Sequence, residues 1–254
     1  NEGFQMWDKA IEKSGYSEFA YSIAADYAVS SRVFGKAVEI LSDAVKKLDN
    51  PPGIISKLAY VYSLSADYAK AAQEYCKLLL IQPAQVFIVK DRFRQILRSP
   101  ESYNIAGAVV TEYFNDSGNT VFLEILIDIL MRSGNLDETL TRIKEYDSRK
   151  PDAAKLLEFA NTAMQNKSYG LAGDAYSYLL VKYADSPVYY QAKIGYAKAK
   201  EASLDEKYFA SQELWKNYRN DTIVSKEEYL ECIKLYLEIS EGRIKRTEGS
   251  EAAL

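Results

Sequence analysis

The sequence predicts an all-α fold: a right-handed α-solenoid of antiparallel helix pairs, ending in a C-terminal capping helix. Three observations carry the prediction. One phrase recurs along the chain, as Phe34-Ala37-Leu41-Ala44, Tyr68-Ala71-Tyr75-Leu78, Tyr103-Ala106-Val110-Tyr113, Leu136-Thr139-Ile143-Tyr146 and Tyr169-Ala172-Tyr176-Leu179. Its copies begin roughly 34 residues apart, a length that suits a stacked helical hairpin. Within each copy the apolar positions fall three and four residues apart, which gathers them into one stripe of a helix. Finally, 6 prolines and 12 glycines in 254 residues are too few for the many turns of a strand-built protein.

Taken in order, residues 1–15 form an N-terminal helix, with Phe4, Trp7, Ala10 and Ile11 on its apolar side, or the remnant of a preceding repeat. Residues 16–241 form the solenoid of about six helical pairs and the capping helix, and residues 242–254 a polar tail. The first pair sets Tyr21, Ala24, Ala25 and Ala28 against the helix from Phe34 to Lys47, where small alanines permit close approach. Pro52 suits the first turn of the next helix, with Ile55, Leu58, Ala59 and Tyr62 inward. In the third pair Phe93 and Leu97 point inward, and the residue before Pro100 ends the helix.

The fourth pair opens with VFLEILIDILM at 121–131, apolar almost all round and therefore in need of cover on more than one side. Gly134 and Asn135 form its turn, since both accept a left-handed backbone. The fifth pair has Leu156, Phe159, Ala160 and Ala163 in its first helix. Ser186 and Pro187 read as the start of a sixth, whose second helix would begin at Tyr208 and carry Ser211, Leu214, Trp215 and Tyr218. Ser225 and Glu228 make a capping-box pattern before a last helix with Tyr229, Cys232, Ile233, Tyr236 and Leu237 on one face. That helix would cap the exposed end of the stack.

Composition narrows the chemistry. A net charge of −4, from 32 basic and 36 acidic residues intermixed, leaves no basic field for nucleic acid, which is not an expected partner. No apolar run approaches the ~20 residues of a membrane-spanning helix. Cys76 and Cys232 would stand about four repeats apart, beyond disulfide reach, and are expected to be free thiols, compatible with any compartment. The chain opens at Asn1 without a signal peptide and reads as a processed or trimmed protein.

The absence of histidine removes the commonest general base and metal ligand. No phosphate-cradling glycine loop occurs, and GYAKAKEA at Gly195 is helical alanine-lysine sequence. Glu124 and Asp128, four apart on one helix face, are ordinary surface or groove charge before they are an acid-base pair. No catalytic residue, cofactor or metal is therefore expected. The 21 tyrosines are only partly explained by packing. Tyr62, Tyr68, Tyr75, Tyr103 and Tyr176 fall at repeat positions, whereas Tyr60 and Tyr190 fall on the outer faces of first helices, where tyrosine offers contact area with a polar tip.

The recurring small-and-large pattern, with Pro83 and Pro151 closing two of the copies, resembles the tetratricopeptide repeat family from about Glu18 to Asp221. It departs from that family in lacking the tryptophan often seen early in a unit's first helix. The segment YADSPVYYQAKIGYAKAKEA is similar to tetratricopeptide segments of bacterial cell-envelope proteins, which favours the periplasm or envelope over the cytoplasm. The resemblance implies a concave groove lined by the first helices. Its register places Ser22, Asp26, Lys57, Tyr60, Asp91, Arg92, Gln95, Glu124, Asp128, Glu158, Asn161, Lys193 and Ala197 inside, with Tyr190 beside them.

From these the candidate partner-binding residues are Asp26, Lys57, Tyr60, Arg92, Gln95, Glu124, Asp128, Asn161, Tyr190 and Lys193. Chaperone-binding members hold a peptide's terminal carboxylate with two lysines, two asparagines and an arginine. Here Ser22, Asp26, Lys57, Ile88 and Arg92 keep only a remnant of that set, which argues against such a clamp. The basic cluster Lys90, Arg92, Arg94 and Arg98, followed one unit later by Glu124 and Asp128, predicts a groove that changes sign within one step. The implied function is a non-catalytic scaffold that binds a protein or peptide in the groove, in a bacterial envelope assembly. The alternatives are a self-associating segment of a larger multidomain chain, and a small-molecule or lipid-binding solenoid.

Overall fold

The computed structural model describes residues 2–213 and 226–251. It divides into two compact units, Asn1–Asn135 and Leu136–Leu254. Among the described residues every regular element is helical, and successive helices pack as antiparallel pairs, the all-α solenoid pattern that the repeats predict.

The first unit contains α1 (Glu2–Lys13), α2 (Glu18–Ser30), α3 (Phe34–Lys47), α4 (Pro52–Leu64), α5 (Tyr68–Ile81), α6 (Val86–Ile96), α7 (Pro100–Ser117) and α8 (Thr120–Ser133). The starts are written locally. Ser17 accepts from the Ala20 N–H and Asp67 from the Lys70 N–H, while Ser99 and Ser102 cap each other's backbone around Pro100 at the first helical position. Hairpin turns spaced one and then two repeats apart take a left-handed residue. Arg32 and Ala66 supply it at φ 58° and Gly134 at φ 77°.

Packing follows the stripe. Alanines 24, 25, 28, 37, 44, 71 and 72 are fully or almost fully buried, which lets helix backbones approach until Tyr21, Leu41, Tyr75 and Leu78 fill the space between them. α2 packs on α3, α3 on α4, α4 on α5 and α5 on α7. Along the other edge the first helices stand side by side, α2 beside α4 and α6 beside α8. As its composition requires, α8 is covered on more than one side, by α6 and α7, and buries Val121, Phe122, Leu123, Ile125, Leu126, Ile127 and Ile129.

The second unit contains α9 (Leu136–Arg149), α10 (Ala153–Gln165), α11 (Tyr169–Lys182), α12 (Tyr189–Glu213) and α13 (Lys226–Glu251). Two expectations are corrected here. The turn expected before Tyr208 is absent, because α12 runs unbroken from Tyr189 to Glu213; residues 196–213 hold no glycine or proline and are rich in alanine, lysine and glutamate. Tyr208 and Ser211 therefore belong to α12, while Leu214, Trp215, Tyr218 and Ser225 lie outside the described residues. The sixth pair is α12 with α13, and the helix expected as a separate cap is its second member.

The tail is also helical as far as Glu251, since isolated glycines among good helix formers cost only about 1 kcal/mol each. The α12–α13 seam is largely polar. Lys193–Glu238 (3.0 Å), Lys200–Glu231 (3.4 Å) and the Tyr236 hydroxyl on Glu201 (2.6 Å) flank a small Leu204–Cys232 contact. Of the face expected on α13, Cys232 is buried, but Ile233 and Leu237 are exposed. At its other end α12 starts two residues after Pro187, which stays in the preceding turn.

Candidate functional site

Seven of the ten candidate residues lie on the edge of the first unit formed by α2, α4, α6 and α8. The Lys57 ammonium donates to both Asp26 carboxylate oxygens at 2.9 and 2.8 Å and to the Ser22 carbonyl at 3.3 Å, tying α4 to α2. Lys90 on α6 meets Glu124 on α8 at 2.7 Å, with both side chains largely covered. Arg94 and Arg132 each approach Asp128 at 2.9 Å. Burial raises the Asp128 pKa, and the two guanidinium groups outweigh it, holding the carboxyl below its ordinary value.

These pairs correct the expected charge strip. Glu124 and Asp128 are not open groove charges, because Lys90 and Arg94 reach across one repeat and neutralise them. Arg92 behaves differently. Its guanidinium stands over the Tyr60 ring at 5.8 Å and donates to Gln95 Oε1 at 3.3 Å, while Gln95 donates to Asp91 at 2.8 Å. Among the basic side chains of α2, α4, α6 and α8 in the described residues, Arg92 is the one without an ion pair. The edge is thus close to neutral, with one unspent cation. Tyr27, Tyr60 and Ile88 stand 60%, 40% and 52% exposed on the same three helices, α2, α4 and α6.

The other three candidates belong to the second unit and are engaged there. Asn161 Oδ1 accepts from the Tyr176 hydroxyl at 2.7 Å. Lys193 is paired with Glu238 of α13, and Tyr190 packs edge-on against Tyr189 at 5.5 Å with Gly242 close to its ring. Lys193 and Tyr190 are therefore not open groove residues, since α13 stands against them.

Sequence reasoning missed three features. An apolar cleft of about 430 Å³ opens between α1 and α2, lined chiefly by Trp7, Ala10, Phe19, Ile23 and Tyr27. The hint was the spacing of Phe19, Ile23 and Tyr27, four apart and offset from the alanine stripe. On α5 the buried Tyr75 hydroxyl has no hydrogen-bond partner among the described residues, and its ring packs edge-on against Phe93 at 5.4 Å. In the second unit the buried Asp147 carboxylate accepts from the Asp152 N–H (2.8 Å), the Tyr178 hydroxyl (3.1 Å), the Lys182 ammonium (2.5 Å) and the Tyr183 hydroxyl.

No family model and no curated protein matches the sequence. Solved structures do, at low identity. The peptide-binding tetratricopeptide repeat protein YrrB, whose site is described as unusual, is 16% identical, covers 71% of this chain and 93% of its own, and gives a TM-score of 0.35. MamA of Desulfovibrio magneticus is 12% identical over 66% of this chain and 95% of its own, at TM-score 0.33. A tetratricopeptide repeat protein from Parabacteroides merdae is 14% identical over 92% of this chain and 91% of its own, also at 0.33. The chain is thus similar to tetratricopeptide repeat proteins.

Proposed function

We propose that this chain is a non-catalytic scaffold that takes a protein or peptide segment along the α2–α4–α6–α8 edge of its first unit. The observation that carries the reading is the neutralised, aromatic character of that edge. Its carboxylates Asp26, Glu124 and Asp128 are held by neighbouring cations, whereas Tyr27, Tyr60 and Ile88 stay open to solvent. Apolar and tyrosyl area of this kind gains most from being covered by a partner, while the ion pairs fix the spacing of the helices that present it. The lack of histidine supports a binding role over a catalytic one. Envelope placement is supported by the phrase at 183–202 alone.

A photo-crosslinking residue at position 60 tests the reading. It should capture the partner in cells, while the same residue at Gln73, exposed on α5, should not; the reverse pattern would overturn it. The apolar cleft beside α1 favours a second reading, in which an apolar small molecule binds between Trp7 and Phe19. Saturable quenching of tryptophan fluorescence by a fatty acid, abolished in Phe19→Glu, would favour that alternative.

A further inference from the structure

We propose that this chain forms a two-fold symmetric dimer through the open flank of α2, with the second copy's α2 laid antiparallel in the cleft between α1 and α2. This inference does not rest on the scaffold reading; it takes Tyr27 out of that edge and leaves Tyr60 and Ile88 to a partner. Its first support is the way α4 sits on α2. Lys57 donates to the Ser22 carbonyl and to the Asp26 carboxylate, and a side chain at Gly53 would press on the Glu18 carboxylate. Val61, one turn further along the same flank, is fully buried. Positions 53, 57 and 61 thus form the flank by which α4 meets the first helix before it.

Phe19, Ile23 and Tyr27 stand 34 residues before those three positions, on the same flank of α2. There the flank is open. The three side chains are 74%, 38% and 60% exposed, and with Trp7 and Ala10 of α1 they wall the cleft of about 430 Å³. The position that seats one helix on another within the chain is therefore repeated one step earlier, apolar and uncovered, and a contiguous exposed apolar face of this kind marks an interface. The two carboxylates of α2 are turned to the other flank, Glu18 toward Gly53 and Asp26 onto Lys57. Nothing charged on α2 opposes an apolar occupant.

The occupant follows from the symmetry of the stripe. An aromatic residue stands four positions to either side of Ile23, so the stripe reads the same in both directions along the helix. Two copies laid antiparallel place Ile23 on Ile23 at the axis and each Phe19 against the second copy's Tyr27, whose hydroxyl stays at the wet rim. Each α2 then lies in the other copy's cleft, against Trp7. One contact made twice closes both surfaces, which is the self-complementary pattern of a two-fold dimer.

Light scattering after gel filtration of the full chain tests the proposal. The wild type should show the mass of two chains at micromolar concentration, and Ile23→Asp the mass of one with unchanged helicity by circular dichroism. Cysteine oxidation tests the register, the native Cys76 and Cys232 being buried. Ile23→Cys should link into a covalent dimer. Phe19→Cys alone should not, because antiparallel packing sets the two copies of position 19 about 12 Å apart along the axis, beyond the ~7 Å between Cα atoms that a disulfide spans; mixed with Tyr27→Cys it should link across. Should Ile23→Asp lose helicity, the cysteine series decides alone. A wild type with the mass of one chain at every concentration overturns the proposal. So does a dimer that survives Ile23→Asp and is lost in Leu237→Asp, on the exposed face of α13, or one that links position 19 to itself as readily as position 23. Capture of a partner from position 60 is read separately, so either reading can fail while the other stands.

Discussion

Replacing Asp147 should destabilise the second unit more than any surface substitution, for reasons that can be worked out bond by bond. The carboxylate is 1% exposed and accepts from four donors: a backbone N–H, two tyrosyl hydroxyls and the Lys182 ammonium. Asp147→Ala removes the acceptor and leaves the donors facing a void. Breaking a buried charged pair from one side costs about 3–5 kcal/mol. Lys182 is about one-third exposed and regains water, so the lower end, about 3 kcal/mol, is the better estimate. At about 2–4 °C per kcal/mol for chains of this size, the unit's thermal transition should fall by about 6–12 °C.

The pH dependence provides a second readout of the same site. Burial raises the Asp147 pKa, but the Asp152 N–H, Lys182 and the tyrosyl donors outweigh it and hold the carboxyl below its ordinary value. A depressed carboxyl contributes stability above its unfolded pKa of about 4 and loses it as pH falls through the folded value. The gap between wild type and Asp147→Asn should therefore be widest near neutral pH and close on acidification. At the alkaline end, Lys182 is raised chiefly by its bond to Asp147, and Tyr183 is pushed up to about 12 by burial and the same carboxylate. Their contribution persists below about pH 10 and is lost as pH rises through those folded values. Urea melts across this range provide the assay. An Asp147→Ala variant within about 1 kcal/mol of wild type, or a gap to Asn that does not narrow in acid, would refute the reasoning.

Gly195→Ala should cost about 3 kcal/mol, because a Cβ there would lie 2.3 Å from the Tyr176 ring, whose hydroxyl is bound to Asn161; chemical denaturation should show partial rescue in a Tyr176→Leu background. Ala66→Gly should stabilise the first unit by about 0.5–1 kcal/mol, since Ala66 is exposed at φ 58° and glycine removes left-handed strain. An unchanged or lower denaturation midpoint would count against that account. Leu126→Asp, 2% exposed in wild type and packed near Gly107, should cost about 4 kcal/mol or more, read as loss of the cooperative transition by circular dichroism.

The contrast between Arg92 and its neighbours explains which parts of this molecule were legible in the sequence. Helices, turns and core were readable because their causes are local. Spacing of three and four residues made the stripe, and Ser99 with Pro100 and Gly134 marked starts and stops within a few residues of themselves. The sixth pair misled because Tyr208 copied the repeat's lead residue while nothing around it broke the helix. Charge pairing was harder to read, because it depends on lateral register between helices a whole repeat apart.

Lys90, Arg92 and Arg94 look like one basic cluster on paper. A helix turns about 100° per residue, so Lys90 and Arg94 share one flank and Arg92 points to the other. With α8 beside α6 on one flank and Tyr60 of α4 within reach on the other, the first two are consumed by Glu124 and Asp128 while Arg92 is left on an aromatic ring. The signal was present as opposite charges one repeat apart. Asp26 with Lys57, Lys90 with Glu124, Arg94 with Asp128 and Asp147 with Lys182 all obey it. In a stack of repeats, a charge whose repeat-spaced counterpart is opposite belongs to the scaffold's own fastening. Arg92 has Leu58 and Leu126 at the corresponding positions 34 residues away, so its own register offers it no opposite charge.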